Sequence, residues 1–457
     1  MFTHPRRQGA AQVYLLLSIA FFAVFLALAI YEYLNGTRFS SNQDLVAELQ
    51  QATLLEEANP ASNKPDWPQW RGPTRDGVSP EKDLVSDWPS SGPKVRWKAD
   101  CGEGYSSVSV ANGRAITLFQ TDDSQREVVI CWDADTGKKL WEHDYSAPYV
   151  SDQGSGPRST PTIEGDRVYT VGATGILHCL DAKTGKPVWR KDLLAEFGAK
   201  NLQWGVSFSP LTDGDLLITN PGGPDGNSIV AFNKVTGDVV WKSFNEGAGY
   251  SSPIALTING TRQVVVFTAK SLVGITEADG RLLWRYPWET SYDVNAATPL
   301  PIRAKVGDAE ITYLFISSGY NKGCALLKIA STGGGEFAAQ KVFESNLMRN
   351  HFSSSVRYQD HLYGFDQELL VCMDLRSGNI KWNQSGFHKG SLILSGDHLI
   401  IVGETGKLAV AEASPSGYHE KGSYRIFRRK SWTPPSLANG KLYLRDQQQV
   451  LCLDLKK

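Results

Sequence analysis

Short alternations of apolar and polar residues recur from residue 95 to residue 457, each broken by a turn rich in Gly, Asp or Asn. Alternation with a period of two predicts half-buried β-strands. The strands group into units with a common grammar. A Ser/Thr-Pro pair opens the first strand, as at Thr160-Pro161, Ser209-Pro210, Ser252-Pro253 and Thr298-Pro299. A Gly-Asp or Asn-Gly turn follows, at Gly165-Asp166, Gly214-Asp215, Gly396-Asp397 and Asn439-Gly440. Such turns supply the positive φ of a tight hairpin. A second strand, a third strand, an Asp-x-x-Thr-Gly turn and a fourth strand ending in Trp complete the unit.

Units end at Trp141, Trp189, Trp241, Trp284, near Phe343, at Trp382 and near Phe427. A period of roughly 40 to 50 residues marks a repeat array, and four antiparallel strands per repeat form one propeller blade. The last unit, Leu437 to Leu455, contains three strands only. Val95-Arg96-Trp97 carries a terminal Trp with no unit before it and supplies the missing strand. Closing a ring in this way removes open sheet edges. The expected fold is all-β, an eight-bladed β-propeller over residues 95–457. Seven blades is the alternative if the divergent stretch 295–345 does not form a blade of its own.

Ahead of the repeats, Val13 to Ile30 is an uncharged apolar run of 18 residues, close to the length that crosses a bilayer as a helix. Arg6 and Arg7 precede it, and Glu32, Asp44 and Glu48 follow. This bias places residues 1–12 in the cytoplasm and predicts an N-terminal transmembrane helix, a signal anchor, over 13–31. A signal peptide cleaved near Ala27-Leu28-Ala29 is the alternative. Both export the rest of the chain, so the expected location is the cell membrane, single-pass, with the propeller on the periplasmic or extracytoplasmic side. Residues 32–65 predict a juxtamembrane helix and a linker. Leu45, Leu49, Ala52 and Leu55 fall near helical spacing after Ser41 as a cap. Residues 66–94 mix Trp67, Trp70 and Trp88 with Pro and Gly, and predict a cover packed across one face of the repeats.

Composition narrows the function by exclusion. A net charge of −1 offers no basic surface for nucleic acid. Six cysteines in an exported chain suggest disulfides, but Cys131, Cys179, Cys372 and Cys452 share one repeat column. Equivalent positions on separate sheets lie too far apart to bridge, so the column is expected to be small, apolar and buried. Cys101 and Cys324 fall elsewhere and have no assigned partner. No HExxH, GxSxG, P-loop, CxxC or CxxCH motif is present, and no catalytic residue or metal ligand set is expected. Asp293 with Asn295 is the one suggestive carboxylate–amide pair, and a turn satisfying its own backbone accounts for it. His351 and His388 are too few for a typical metal site.

Candidate site residues come from the places where the repeats differ. Residues entering each innermost strand ring the central channel. The column marked by Arg158 contains Tyr105, Ser207, Tyr250, Ala296, Phe352, Lys389 and Trp432, and its neighbour contains Asn295, His351 and His388. A structural position keeps one residue type, whereas this one holds cations and aromatics. The expected ligand or partner site is therefore the funnel lined by Tyr105, Arg158, Tyr250, Asn295, His351, Phe352, His388, Lys389 and Trp432. Aromatic walls with a few cations suit a planar anionic ligand or a peptide with acidic residues.

The x-x-Asp-x-x-Thr-Gly-x-x-x-Trp tail, its copies and the early closing strand resemble the pyrroloquinoline quinone (PQQ)-like repeat family over about residues 66–457. The opening Trp67-Pro68-Gln69-Trp70-Arg71-Gly72-Pro73 with Arg75-Asp76-Gly77 resembles envelope-associated PQQ-binding-like proteins of planctomycete-type bacteria. Trp132-Asp133 resembles the WD40 type, but the tail that follows suits the PQQ-like type better. The resemblance implies a quinoprotein alcohol dehydrogenase-like propeller. It also implies that Trp97, Trp141, Trp189, Trp241, Trp284 and Trp382 dock on the neighbouring blade near its Thr-Gly turn. One branch of the family consists of PQQ-dependent alcohol and sugar dehydrogenases. Another consists of BamB-like assembly lipoproteins, which bind protein partners and no quinone. The dehydrogenase branch carries a vicinal disulfide on the quinone and calcium held by acidic and amide side chains. This chain has no adjacent cysteines and no matching acidic set. The expectation is therefore a non-catalytic binding or scaffold module with no cofactor, a protein partner or small ligand at the funnel, and an open oligomeric state. A dehydrogenase using PQQ and calcium is the alternative, and a glycan-binding propeller a further one.

Overall fold

The computed structural model describes residues 38–56, 65–82 and 84–456. The chain divides into two units, Met1–Phe39 and Ser40–Lys457, and the propeller lies in the second. The apolar run Val13–Ile30 and most of the linker lie outside the described residues. Among the described residues no helix is long and apolar enough to cross a membrane.

Among the described residues the repeat strands form eight antiparallel sheets, blades 1 to 8, over 109–146, 162–192, 211–243, 254–287, 300–345, 356–384, 391–425 and 436–454. Blade 8 takes its outer strand from Lys94–Asp100, which pairs with Gln449–Asp454 and places Trp97 opposite Cys452. The divergent stretch is a full blade with long strands, Ala309–Ser318 and Gly323–Gly333 among them. The eight-bladed count therefore holds.

Burial grades outward within each blade. In blade 2 the third strand, Ile176–Asp181, is buried except at its end, whereas the outer strand Pro187–Asp192 is largely exposed. The Asp-x-x-Thr-Gly segment is a hydrogen-bonded turn. Asp181 Oδ1 accepts from the amides of Lys183 and Thr184 and from the Thr184 hydroxyl. Gly185 then takes φ +70, and a Cβ built there would lie 2.5 Å from the Trp141 ring. The preceding blade's Trp rests on this glycine, and Trp141 Nε1 donates to Ala182 O. The same contact recurs from Trp97 to Ala134 O, Trp189 to Lys234 O, Trp241 to Glu277 O and Trp382 to Ser414 O. Trp284 departs from this pattern. Its ring shares a core cluster with Leu314, Ile316 and Phe337 of blade 5, but its Nε1 bonds to Gln263 Oε1 within its own sheet.

The Ser/Thr of each opening pair binds its blade to the one before. Ser107 N donates to Thr160 Oγ1, Thr160 N to Ser209 Oγ, Ser209 N to Ser252 Oγ and Thr298 N to Ser354 Oγ. These side chains satisfy buried amides around the inner ring. The cysteine column behaves as expected. Cys131, Cys179, Cys372 and Cys452 are buried thiols opposite Trp141, Trp189, Trp382 and Trp97, and all six cysteines are unpaired. Burial pushes the Cys131 and Cys179 thiols up to about 12.

The helix ahead of the propeller is shorter than the spacing predicts. It spans Gln43–Gln51 with Asn42, not Ser41, as its cap. It ends because Thr53–Leu54 turns into a strand on the inner edge of blade 5. Arg376 caps its last carbonyls, and Glu48 pairs with Lys328 at 2.6 Å. The helix is thus fastened to the propeller wall.

Candidate functional site

The site begins at the base of the central channel. The Trp/Pro/Gly segment, expected as a cover across one face, runs under the inner strands of the ring. Trp67 pairs with Val110 of blade 1, and Pro68 O accepts from Ile163 N of blade 2. Arg75 donates to Ser209 O and Pro210 O of blade 3, and Trp70 Nε1 donates to Thr298 Oγ1 of blade 5. Arg71 donates to Ser355 O of blade 6, and Val78–Ser79 lies parallel to Leu394–Ser395 of blade 7. Pro65 O accepts from Asn439 N of blade 8. Trp67, Arg71, Arg75 and Asp76 are all buried. Gly72, at φ +85, admits the Trp67 ring, which a Cβ would meet at 2.9 Å. The inner strands present unpaired carbonyls at their ends, and two guanidinium forks suit them because Arg carries donors only. The segment is a plug, and the channel is a funnel open at one end.

Above the plug lies a cavity of ≈ 400 Å³ with Trp70 on its floor. Its wall is a belt of aromatic rings. Tyr105 stacks on Trp432 at 5.6 Å, Trp432 meets Phe352 at 5.0 Å, and Phe352 meets His351 at 6.0 Å. The belt continues from His351 to Tyr320 at 4.9 Å, from Tyr320 to Trp204 at 6.4 Å, and from Trp204 to Tyr250 at 5.9 Å. Arg158 occupies the remaining arc, its guanidinium 5.3 Å from the Tyr105 ring and 5.0 Å from the Tyr149 ring. It also donates to Gly154 O and Gly156 O, so it holds its own loop as well as lining the cavity.

Tyr105, Arg158, Tyr250, His351, Phe352, Lys389 and Trp432 all line this cavity, as do Ser207 and Ala296 of the same column. Asn295 does not. It is fully buried, donates to Thr268 O, Ala269 O and Trp288 O, and accepts from Ser318 Oγ. The strand entry there turns the amide inward to satisfy loop carbonyls. His388 also lies off the cavity. It sits at φ +52 with its side chain 56% exposed, 3.9 Å from Glu368. It therefore makes no pair with His351. Trp70, Gln153, Trp204 and Tyr320 line the cavity but fall outside the repeat columns. Trp204 comes from the connection between blades 2 and 3, and Tyr320 from a hairpin tip at φ +54. Only their position in loops on the funnel face distinguishes them in the sequence.

The electrostatics are one-sided. No Asp or Glu lines the cavity, whereas Arg158 and Lys389 do. Burial, with the Lys389 charge behind it, holds His351 down to about 4, so it is neutral near pH 7. The indole N–H of Trp204 is buried without a hydrogen-bond partner. The wall offers stacking surfaces, cations and donors.

A quinone held by calcium needs a different wall. Calcium takes six or more oxygen ligands, mostly carboxylate and carbonyl. The cavity has no carboxylate to bind the metal or to act as base, and among the described residues no cluster of three or more His, Cys, Asp or Glu could hold a metal. The residues present do not fit that pair of cofactors.

Solved structures confirm the architecture. The quinohemoprotein alcohol dehydrogenase of Comamonas testosteroni superposes with a TM-score of 0.63 at 13% identity, over 90% of this chain and 83% of that one. A quinohemoprotein alcohol dehydrogenase of Pseudomonas putida gives 0.61 at 12% identity, over 91% and 82%. BamB of Moraxella catarrhalis gives 0.54 at 14% identity, over 82% of this chain and 98% of its own. At these identities the likeness is one of fold. No curated protein sequence matches the chain. A family model described as outer membrane protein assembly factor BamB matches residues 125–384, more than half of the chain, from the two outer strands of blade 1 to the end of blade 6. With the repeat tail, the eight blades and the closing strand in place, the chain belongs to the PQQ-like repeat family of the outer membrane protein assembly factor BamB.

Proposed function

We propose that this chain is a membrane-anchored propeller facing the cell envelope and acting as a non-catalytic binding or scaffold module. Its partner or ligand sits in the plugged funnel. The observation that carries this reading is the aromatic belt, which occupies the position where the repeats stop resembling one another. A concave, mostly apolar pocket with a few convergent polar groups is the usual form of a recognition site. The belt supplies no acid–base pair: His351 is neutral, the cavity has no carboxylate, and Arg158 is engaged by its own loop. Membership of the BamB family favours a protein partner. The run Val13–Ile30 supports the anchor.

A PQQ-dependent alcohol or sugar dehydrogenase is the second reading, and the similarity in fold to two quinohemoprotein alcohol dehydrogenases favours it. Titration of the purified protein with PQQ and calcium separates the two. The scaffold reading expects no bound-quinone absorbance and no alcohol- or sugar-dependent dye reduction. Stoichiometric binding with dye reduction overturns it. A glycan array tests the third reading: binding that disappears in Trp432→Ala supports a glycan-binding propeller. For topology, protease added to intact spheroplasts should cut the propeller, and full protection overturns the envelope-facing placement.

A further inference from the structure

We infer that the funnel receives an acidic peptide segment of a partner protein, with one apolar side chain in the aromatic belt and its carboxylates on a basic rim. This rests on the funnel being the binding site. The cavity of ≈ 400 Å³ has room for a small ligand or for one or two side chains, so a protein partner must offer it a protruding segment. The charge that would hold the segment extends beyond the cavity. The connection from blade 7 to blade 8 reads Arg428-Arg429-Lys430 immediately before Ser431-Trp432. Lys430 Nζ stands 4.0 Å over the Trp432 ring, and Arg428 and Arg429 are exposed. Lys389 lines the cavity from the neighbouring connection between blades 6 and 7. Among the described residues none of these four cations has a carboxylate within ion-pair distance, whereas Arg349, Arg376, Lys407 and Lys421 elsewhere are each paired.

Two acidic groups flank these four cations. Glu404 accepts from the Trp432 indole at 3.0 Å, and Glu368 lies beside His388. A third, Glu103, sits on the connection into blade 1, two residues from the Tyr105 that stacks on Trp432, and Asp152 sits on the connection into blade 2. The positive charge of the four cations attracts an acidic chain. A compact anion wholly inside the belt would leave Arg428 and Arg429 unused, because neither lines the cavity. A chain with an apolar anchor and flanking carboxylates uses both. The buried, unpartnered indole N–H of Trp204 offers a donor to such a chain's backbone carbonyl. Arginine clusters reading acidic motifs, and aromatic anchors filling a desolvated pocket, are recurrent means of peptide recognition.

The test is selection from a displayed random dodecapeptide library on the full-length protein in detergent. The strongest selected sequence is then made as a fluorescein-labelled peptide and followed by anisotropy. The expected sequences carry an aromatic or large aliphatic residue flanked by Asp or Glu. The double variant Arg428→Glu/Arg429→Glu should weaken binding about tenfold or more, and high salt should weaken it for the wild type. Exchanging the peptide's Asp and Glu for Lys should restore binding to the double variant. Trp432→Ala should abolish binding, with thermal melting as a check on folding. Lys389→Glu is the second variant, so misfolding of the first leaves the test intact. Selected peptides that are neutral or basic, yet need Trp432, overturn the acidic preference and leave the funnel as a binding site. Peptides indifferent to both Trp432→Ala and Lys389→Glu overturn the inference and the funnel reading together. Failure to enrich any sequence overturns the peptide inference, while ligand binding in the quinone or glycan titrations would still uphold the funnel.

Discussion

Arg75 reaches across the base of the ring to the carbonyl of Ser209, 134 residues further along the chain and 2.9 Å from its Nη2. It also donates to Pro210 O and to Gln69 Oε1. Arg75→Met should therefore strand buried carbonyls and lower stability by about 3 kcal/mol in urea denaturation. Arg75→Lys should recover little, because one ammonium cannot replace a guanidinium fork. A midpoint close to wild type would mean that the plug does not brace the ring.

Trp141 and Trp189 make the same docking bond but differ in burial. Trp141 is 7% exposed, whereas Trp189 is only half-buried. Trp141→Ala should cost about 3–5 kcal/mol and Trp189→Ala clearly less. Gly185→Ala should destabilise as well, since its Cβ meets the Trp141 ring at a left-handed φ. Calorimetry on the three variants gives the ranking. Equal losses at the two tryptophans would contradict it.

Stability should fall with pH in a window set by His178. Burial, followed by the charges of His143 and Arg190, holds this imidazole down from 6.5 to about 3. The unfolded chain takes up its proton near the ordinary value, and the folded chain only near 3. Between those values the unfolded state binds more protons, so unfolding becomes easier as pH drops. The stability that depends on the neutral ring is present above pH 6.5 and fades below it. His178→Phe should flatten the stability–pH curve in this window. His351 and His143 act in the same direction, so some slope should remain. An unchanged slope in the variant would rule out His178 as a source.

Arg158 faces the cavity but also ties down its own loop. Arg158→Ala should leave the global melting temperature nearly unchanged while hydrogen exchange speeds up in residues 150–158, which lose two carbonyl contacts and the stacking on Tyr105 and Tyr149. Exchange at the wild-type rate would show that the loop is held by something else.

Much of the fold was legible because it repeats. The Asp181 turn, the Trp141 contact and the Ser209 inter-blade bond each follow from a residue type recurring at a fixed place in the unit, and the closing strand followed from a Trp without a unit. Part of the site was legible by subtraction, since the Arg158 column varies where structure would hold it constant. Asn295 shows the limit of that logic. Its neighbour Ala296 lines the funnel, but one step along the backbone turns the amide into the core, where three carbonyls take it up. Trp204 and Tyr320 escaped because loops carry no repeat register. Trp284 packs with blade 5 as a blade-end Trp should, but its indole N–H turns to Gln263 of its own sheet, a choice the repeat does not encode. The plug was visible as a cluster of Trp and Gly, but which carbonyls Arg71 and Arg75 would meet depends on blades far along the chain.

The pairing of Lys94–Asp100 with Gln449–Asp454 also governs how the molecule forms. These strands are separated by nearly the whole repeat region, so a contact between distant parts of the chain is the one that shuts the ring. Contacts of such separation form late and slowly. Until then the closing strand has no partner, and the Trp-rich plug next to it is only partly housed, because its sockets on blades 5 to 8 are still to be made. The nascent chain thus carries an unpaired strand and a partly housed apolar segment throughout synthesis, an aggregation hazard that ends when the last strand arrives.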